Sequence, residues 1–176
     1  MLLWAPLQQK GGLFVSFDLS VIPHKNIILA VTGGIAAYKS AILVRRLKDA
    51  GFSVRVVMTK GAQAFITPLT FQALSGNPVH TELLDTEAEA GMGHIELARW
   101  ADLILVAPAS CDTLAKFAAG LADDLLSTLY LATNAPVWVA PAMNQQMWAA
   151  KATQRNLTTL VEDGVHVIMP DAGEQA

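Results

Sequence analysis

The stretch over residues 25–39 most constrains the fold, because a short apolar run ends abruptly at two glycines and a helical pattern follows at once. Residues 27–31 are continuously apolar, which is typical of a buried strand. Gly33 and Gly34 allow a backbone to come close to a ligand. The following helix directs its free N–H groups and positive dipole end at this turn, which favours binding of an anion, most often a phosphate.

Strand and helix patterns alternate along the rest of the chain. The first helix is predicted to end at Gly51 and to bury a face formed by Ala36, Leu43, Leu47 and Ala50. Thr67 before Pro68 predicts another helix start with a hydroxyl cap. Four further strands are predicted over residues 53–58, 103–108, 136–140 and 165–169. The alternation predicts a three-layer α/β fold, Rossmann-like or flavodoxin-like, in which helices cover both faces of a parallel sheet.

The chain is predicted to form one domain over residues 25–176, preceded by an N-terminal extension over residues 1–24. The apolar start of the extension lacks a preceding basic segment and a convincing cleavage site, so it is not typical of a signal peptide. We interpret the extension as a mobile segment without function, or as the product of an upstream start codon. Polar and acidic residues over 81–93 predict a surface loop.

Composition limits the classes of function. Apolar residues make up 53% of the chain and charged residues 15%, which is apolar for a soluble monomer, so some surface is expected to lie in contacts of a homo-oligomer. The net charge of −3 argues against a nucleic-acid partner, and no apolar run approaches the roughly 18 residues of a membrane span. The single cysteine, Cys111, excludes an intramolecular disulfide and favours a reducing, cytoplasmic compartment.

Four loops follow the ends of predicted strands. Because ligands of open parallel sheets bind outside the carboxyl ends of the strands, these loops are expected to form one site. They comprise Gly33-Gly34-Ile35, Thr59-Lys60-Gly61, Ser110-Cys111-Asp112-Thr113 and Ala142-Met143-Asn144. Thr32 stands where a dinucleotide motif has its first glycine, and the second loop lacks the acidic residue that binds ribose. Both features favour a mononucleotide phosphate over NAD.

Each candidate also has a plainer interpretation. The glycine pair can be a tight turn, Thr59 and Lys60 an ordinary loop, and Ser110, Asp112 and Asn144 helix caps. His94 opens a predicted helix, where the dipole disfavours the cation and leaves a neutral imidazole able to accept a proton. The alternative for His94 is a hydrogen bond to nearby backbone.

The other histidines and the cysteine suggest no metal site. His24, His80 and His166 have no metal-ligand spacing with one another or with Cys111, so no metal is assigned. Cys111 is interpreted as a small buried residue rather than a nucleophile, because no histidine is close to it in sequence.

Five segments, in this order, carry a resemblance to a known family. They are Gly93-His94-Ile95-Glu96-Leu97, Trp100-Ala101-Asp102, Ala107-Pro108-Ala109-Ser110, Gly120-Leu121-Ala122-Asp123-Asp124-Leu125 and Pro141-Ala142-Met143-Asn144-Gln145-Gln146-Met147-Trp148. Over residues 25–176 the chain resembles the flavin-containing cysteine decarboxylases. Within them it is most similar to the phosphopantothenoylcysteine decarboxylases, in particular the N-terminal domain of the bacterial bifunctional enzyme of coenzyme A biosynthesis. Flavin prenyltransferases share the fold and the opening turn but lack the histidine segment.

The resemblance implies an FMN site and assigns its residues. His94 would be the active-site base, Asn144 would hold the substrate carboxylate, and Ala142 would lie against the flavin. The other cofactor-binding residues would be Gly33, Gly34, Ile35, Thr59, Lys60, Gly61, Ser110, Cys111, Asp112 and Thr113. The implied reaction is FMN-dependent decarboxylation of 4'-phosphopantothenoylcysteine towards 4'-phosphopantetheine. Oxidation of the substrate thiol lets sulfur delocalise the carbanion that loss of CO2 creates.

The resemblance also implies partners. Family members are trimers, or dodecamers built from trimers, with the site at a subunit contact, and a fused or separate synthase domain supplies the substrate. In the family a flap with an Ala-Cys-Gly-Asp segment follows the last strand and donates the final proton. We expect that cysteine to follow directly after residue 176, where the present sequence ends, and Cys111 lies in a different loop. We therefore expect decarboxylation to stall at the oxidised, enethiol-type intermediate.

Two alternative functions stay open at this point. Some relatives are non-catalytic flavin-fold proteins that regulate other proteins through binding. Others are peptidyl-cysteine decarboxylases, which act by the same chemistry on a C-terminal cysteine of a peptide.

Overall fold

Six parallel strands form one sheet in the computed structural model, which describes residues 26–83 and 93–169. The strands are β1 (Asn26–Val31), β2 (Ser53–Met58), β3 (Val79–His80), β4 (Leu103–Ala109), β5 (Val137–Pro141) and β6 (His166–Val167). Their order across the sheet is β3-β2-β1-β4-β5-β6. The direction of winding therefore reverses between β1 and β4, where a doubly wound sheet leaves a crevice for a ligand.

Helices cover both faces of this sheet. In the described part of the chain they are α1 (Ala37–Asp49), α2 (Lys60–Gln63), α3 (Pro68–Ser75), α4 (His94–Trp100), α5 (Cys111–Ala118), α6 (Leu125–Ala132), α7 (Gln145–Ala149) and α8 (Lys151–Glu162). Buried residues of α1, α2 and α3 form one apolar cluster with one face of the sheet. Buried residues of α4, α5, α6 and α8 form a second cluster with the other face. The predicted three-layer α/β fold is confirmed.

The edge strand β3 was not predicted. It has two residues, which pair with Val56 and Val57 of β2, and so short a segment shows no hydrophobic period in sequence. Without β3, the other five strands have the order 2-1-3-4-5 when renumbered, which is the flavodoxin order. The last strand, expected over residues 165–169, is confined to residues 166–167.

The predicted buried face of the first helix is partly wrong. The buried residues of α1 are Ala37, Ser40, Val44 and Leu47, whereas Ala36 and Leu43 are half-buried and Ala50 is exposed. Ser40 can face the sheet because its hydroxyl donates to the Ala107 carbonyl at 2.7 Å, a partner that sequence spacing does not reveal. The opposite stripe of the same stretch is also apolar and is exposed: Ile35, Tyr38 and Ile42.

Helix α3 begins after Thr67 as predicted, but its expected hydroxyl cap is absent. The Thr67 side chain makes no hydrogen bond to the backbone of the helix, and its hydroxyl lies 3.3 Å from that of Thr70. Pro68 at the first helical position supplies the start instead, because its fixed φ suits a helix and it needs no partner for an N–H.

Some predictions concern residues outside the described part of the chain. They are the extension over residues 1–24, most of the acidic loop (residues 84–92) and the C-terminal residues 170–176. Among the helices that the structure does describe, none has the length and apolar character needed to cross a membrane.

Candidate functional site

The first two strand-end loops pack against each other through their backbones. The Thr59 N–H donates to the Val31 carbonyl at 3.1 Å. A Cβ atom placed on Gly33 would lie 3.1 Å from the carbonyl carbon of Gly61, closer than most such contacts. The neighbouring loop therefore crowds position 33 and favours glycine there, in line with the plainer interpretation of the glycine pair as a tight turn.

Gly34 has the opposite surroundings. A Cβ atom placed there would have no described atom within 4 Å, so the main chain at Gly34 borders open space. The Gly34 carbonyl accepts from the Ala37 N–H at 3.0 Å, which begins α1. Because the first turn of this 13-residue helix carries no acidic residue, its dipole leaves a net positive potential at the turn. The space beside Gly34 therefore suits an anion.

Thr32 joins the first loop to the third. Its side chain is fully buried, and its hydroxyl donates to the Pro108 carbonyl at 2.6 Å and accepts from the Ser110 N–H at 2.8 Å. Sequence analysis noted Thr32 only as a missing glycine. The one signal in the sequence was a hydroxyl at the end of a continuously apolar strand. The residues that bond to this hydroxyl, Pro108 and Ser110, lie more than 70 residues further along the chain.

Ser110 is a helix cap, as its plainer interpretation stated. Its hydroxyl accepts from the Thr113 N–H at 3.2 Å at the start of α5. Asp112 is not a cap, because its exposed carboxylate instead lies 4.0 Å from the Lys116 ammonium. Thr59 likewise caps α2 by accepting from the Ala62 N–H at 3.3 Å, and Lys60 is exposed beside it.

The third and fourth loops are also linked. The Ala142 N–H donates to the Ala109 carbonyl at 3.1 Å. The half-buried Cys111 thiol lies 3.4 Å from the Met143 sulfur and 3.1 Å from the Thr153 hydroxyl. Sequence analysis missed both of these partners, since neither is near Cys111 in the chain. All four predicted loops therefore meet along one edge of the sheet.

Asn144 combines a structural contact with a free donor. Its Oδ1 accepts from the Gln146 N–H at 2.8 Å, so the predicted cap of α7 is confirmed. That bond fixes the orientation of the amide. The exposed Nδ2 group has no hydrogen-bond partner among the described residues, and it can donate to an acceptor such as a carboxylate.

His94 makes no hydrogen bond to these loops in the described part of the chain. It is the first residue of α4, and Asp102, two residues after this helix, pairs with the backbone of Asn26 at the start of β1. Seven helical residues span about 10 Å, whereas the seven residues of β4 span about 20 Å. From these lengths we expect the main chain of His94 to stop short of the carboxyl edge. Within residues 26–83 and 93–169 its ring makes no hydrogen bond, so the alternative of a backbone partner is not observed.

A charged cluster around Lys116 joins α5 to α6 and also reaches Asp112 of the third loop. The Lys116 ammonium lies 3.0 Å from the Asp123 carboxylate and 2.9 Å from that of Asp124. The hydrogen bonds that the Lys116 ammonium donates to these two carboxylates raise the pKa of Lys116, with Asp124 the larger cause. Burial raises the pKa of Asp124, but hydrogen bonds from Lys116 and Ser127 outweigh it, and the net pKa lies below the ordinary value. The cluster stabilises the connection between the helices.

Two further features lie outside the loop edge. A cavity of about 570 Å³ opens at the opposite edge of the sheet and is lined by residues that include Phe117, Tyr130, Pro136, Val137 and Asp163. It shares no residue with the four loops. In the described ranges, no three histidine, cysteine, aspartate or glutamate side chains are grouped so that they could hold a metal ion.

Comparison with known proteins identifies the relatives. The flavoprotein family model matches residues 19–176. The coenzyme A biosynthesis bifunctional protein CoaBC of Vibrio vulnificus is 60% identical over 158 residues, which are 90% of this chain and 39% of that protein. The chain thus spans well under half the length of this relative.

Solved structures agree with the sequence matches. The FMN-dependent cysteine decarboxylase SpaF is 34% identical, with a TM-score of 0.80 over 87% of this chain and 88% of SpaF. A cysteine-to-serine mutant of PPC decarboxylase complexed with pantothenoylaminoethenethiol is also 34% identical, with a TM-score of 0.71 over 84% of this chain and 83% of that one.

Proposed function

The chain belongs to the flavoprotein family, and from this premise we propose that it binds FMN at the carboxyl edge of its sheet. The open space beside Gly34, at the positive end of α1, suits the phosphate of a mononucleotide. The observation that carries the proposal is the linking of all four strand-end loops along the edge of the sheet that includes this space.

The residues expected to contact FMN come from all four loops. Gly34 and Ile35 would offer backbone N–H groups to the phosphate, while Gly33 holds the turn against the second loop. The remaining contacts are assigned to Thr59, Lys60, Gly61, Ser110, Cys111, Asp112, Thr113 and Ala142. Bound FMN supplies redox chemistry that amino-acid side chains lack, namely acceptance of electrons from a thiol.

We propose that the substrate is 4'-phosphopantothenoylcysteine, which the reaction converts towards 4'-phosphopantetheine with release of CO2. Support comes from the relative in Vibrio vulnificus, a bifunctional enzyme of coenzyme A biosynthesis, and from the similarity to PPC decarboxylase. The proposed reaction is one step in the synthesis of coenzyme A from pantothenate. A fused or separate synthase is the partner expected to supply the substrate, and the cytoplasm is the expected compartment, because Cys111 is the single cysteine of the sequence.

His94 and Asn144 are assigned to the substrate. The Nδ2 group of Asn144 is free to donate to the cysteine carboxylate, and its Oδ1 bond to Gln146 holds that donor outward. His94 is proposed as the base that accepts a proton as the thiol is oxidised, since a neutral imidazole accepts protons near neutral pH.

We propose a homo-oligomer, a trimer or a dodecamer built from trimers, in which His94 of one copy faces the loops of another. Two observations support this arrangement. The lengths of α4 and β4 lead us to expect that the main chain of His94 stops short of the carboxyl edge of its own sheet. In addition, Ile35, Tyr38 and Ile42 are at least half exposed and form an apolar stripe beside the Gly34 turn. Such a stripe is typical of a subunit contact.

The test uses purified protein and two substrates. We expect a yellow protein whose bound FMN is released on denaturation, and CO2 release from 4'-phosphopantothenoylcysteine. CO2 release only from a peptide that ends in cysteine would instead identify a peptidyl-cysteine decarboxylase. A yellow protein inactive on both would identify a non-catalytic FMN-binding protein, and a protein without affinity for FMN would refute the proposal.

A further inference from the structure

Thr32 has contacts that none of the roles above uses. It follows the last residue of β1, is fully buried, and bonds through one hydroxyl to the Pro108 carbonyl and the Ser110 N–H. Pro108 lies in β4 and Ser110 begins the third loop. The hydroxyl therefore bridges β1 and β4 at the point where the winding of the sheet reverses, beside the crevice in which a ligand binds.

Resting on the proposed FMN binding, we infer that Thr32 is a positioning residue for the phosphate of FMN. Its two hydrogen bonds hold the glycine turn and the N-terminus of α1 at a fixed separation from the N-terminus of α5. The N–H groups at both helix starts then face the same crevice. An anion site built from several backbone donors depends on the spacing between them, because binding is tight only when the donors are held in place beforehand.

The hydroxyl has no apolar substitute here. It donates to the buried Pro108 carbonyl and accepts from the half-buried Ser110 N–H, so a valine of nearly the same shape leaves a carbonyl and an N–H unpaired. A loop that shifts to satisfy these groups alters the distance between the two helix starts. A serine retains both hydrogen bonds and loses only a methyl group.

Ser40 offers a matched control for general loss of stability. Its side chain is also buried, and its hydroxyl donates to the Ala107 carbonyl at 2.7 Å, so it links α1 to the same strand. Ser40 belongs to none of the four loops. The Ser40→Ala substitution removes one part-buried hydrogen bond to β4 and alters no residue of the four loops.

The experiment titrates the 176-residue apo-protein with FMN and with riboflavin, which lacks the phosphate, and follows flavin fluorescence. We expect Thr32→Val to weaken FMN binding about tenfold or more while riboflavin binding changes by less than about threefold. Thr32→Ser and Ser40→Ala should each bind FMN within about threefold of the unsubstituted protein. Circular dichroism melting verifies that each variant is folded. If Thr32→Val does not fold, Thr32→Ala compared with Thr32→Ser makes the same test.

Three results would overturn the inference: unchanged FMN binding by Thr32→Val, an equal loss for riboflavin, or an equal loss in Ser40→Ala. Failure of the unsubstituted protein to bind FMN is a separate result. It would refute the proposed function and the inference together, whereas FMN binding that is insensitive to Thr32 would refute only the inference.

Discussion

The four strand-end loops and the helix that carries His94 differ in how completely one copy of the chain determines them. Each loop is bonded to its neighbour, from Thr59 and Val31 at one end to Cys111 and Met143 at the other. His94 has no such bond in the described chain, and α4 ends near the opposite edge. The difference leads us to expect that cofactor binding and turnover are separable, because under our proposal one chain builds the cofactor site and the base comes from another copy.

The largest expected effect is the loss of turnover in His94→Asn. An amide cannot accept the proton, so we expect CO2 release to fall by about 10²–10⁴-fold, the usual contribution of a general base. FMN affinity should stay within about threefold, because His94 bonds to none of the loops. Radiolabelled CO2 and flavin fluorescence measure the two properties on the same preparation. A parallel loss of both would contradict the separation.

Co-expression of two variants tests whether His94 acts on the loops of another copy. If His94 acts across a subunit contact, mixed oligomers of His94→Asn and Gly33→Ala chains should regain activity, since one chain supplies intact loops and the other an intact histidine. Random pairing leaves about a quarter of the sites with both parts. Activity no higher than that of the separate variants would show that His94 serves the loops of its own chain.

Asn144→Asp is expected to have the next largest effect. The variant retains an oxygen that can accept from the Gln146 N–H, so α7 keeps its cap and the melting temperature should change little. It replaces the Nδ2 donor with a negative oxygen that repels a substrate carboxylate. We expect kcat/KM to fall about 100-fold, chiefly through KM, because the variant loses a donor to the substrate carboxylate and sets a like charge against it. An unchanged KM would remove Asn144 from the substrate site.

Substitutions at two adjacent glycines distinguish packing between the loops from contact with the ligand. Gly33→Ala forces a Cβ to within 3.1 Å of the Gly61 backbone and should destabilise the fold by about 1–3 kcal/mol, with FMN affinity reduced. Gly34→Ala meets no described atom within 4 Å and should leave the melting temperature unchanged. Any FMN affinity lost in Gly34→Ala then reports contact with the ligand itself. Equal melting temperatures for the two variants would contradict the packing of the first two loops.

The candidate site was predictable to the extent that it follows from topology. Alternating strand and helix patterns imply parallel strands, and parallel strands bring loops such as Thr59–Gly61 and Ser110–Thr113 to one edge. Contacts between distant residues were not predictable, because no local pattern encodes the bond from Thr32 to Ser110 or the burial of Ser40. The two-residue β3 was too short to show a period. The position of His94 at a predicted helix start suggested a proton acceptor, and its role as the active-site base came from the resemblance.

The smallest expected effect concerns Lys116, which lies outside both regions. Its carboxylate partners are partly exposed, so solvent screens the ion pairs, and we expect Lys116→Met to lower stability by only about 1 kcal/mol at pH 7, with FMN affinity unchanged. The Lys151→Met variant removes an exposed lysine and serves as the control for charge.

The contribution of this pairing to stability depends on pH. Because the folded pKa of Asp124 lies below its ordinary 3.8, the pairing contributes fully above pH 3.8 and is lost as the pH falls through the folded pKa. Melting curves of the unsubstituted protein and Lys116→Met should therefore differ at pH 7 and converge below about pH 4. Curves that stay equally far apart in acid would show that the alkyl chain of Lys116, rather than its charge, holds α5 to α6.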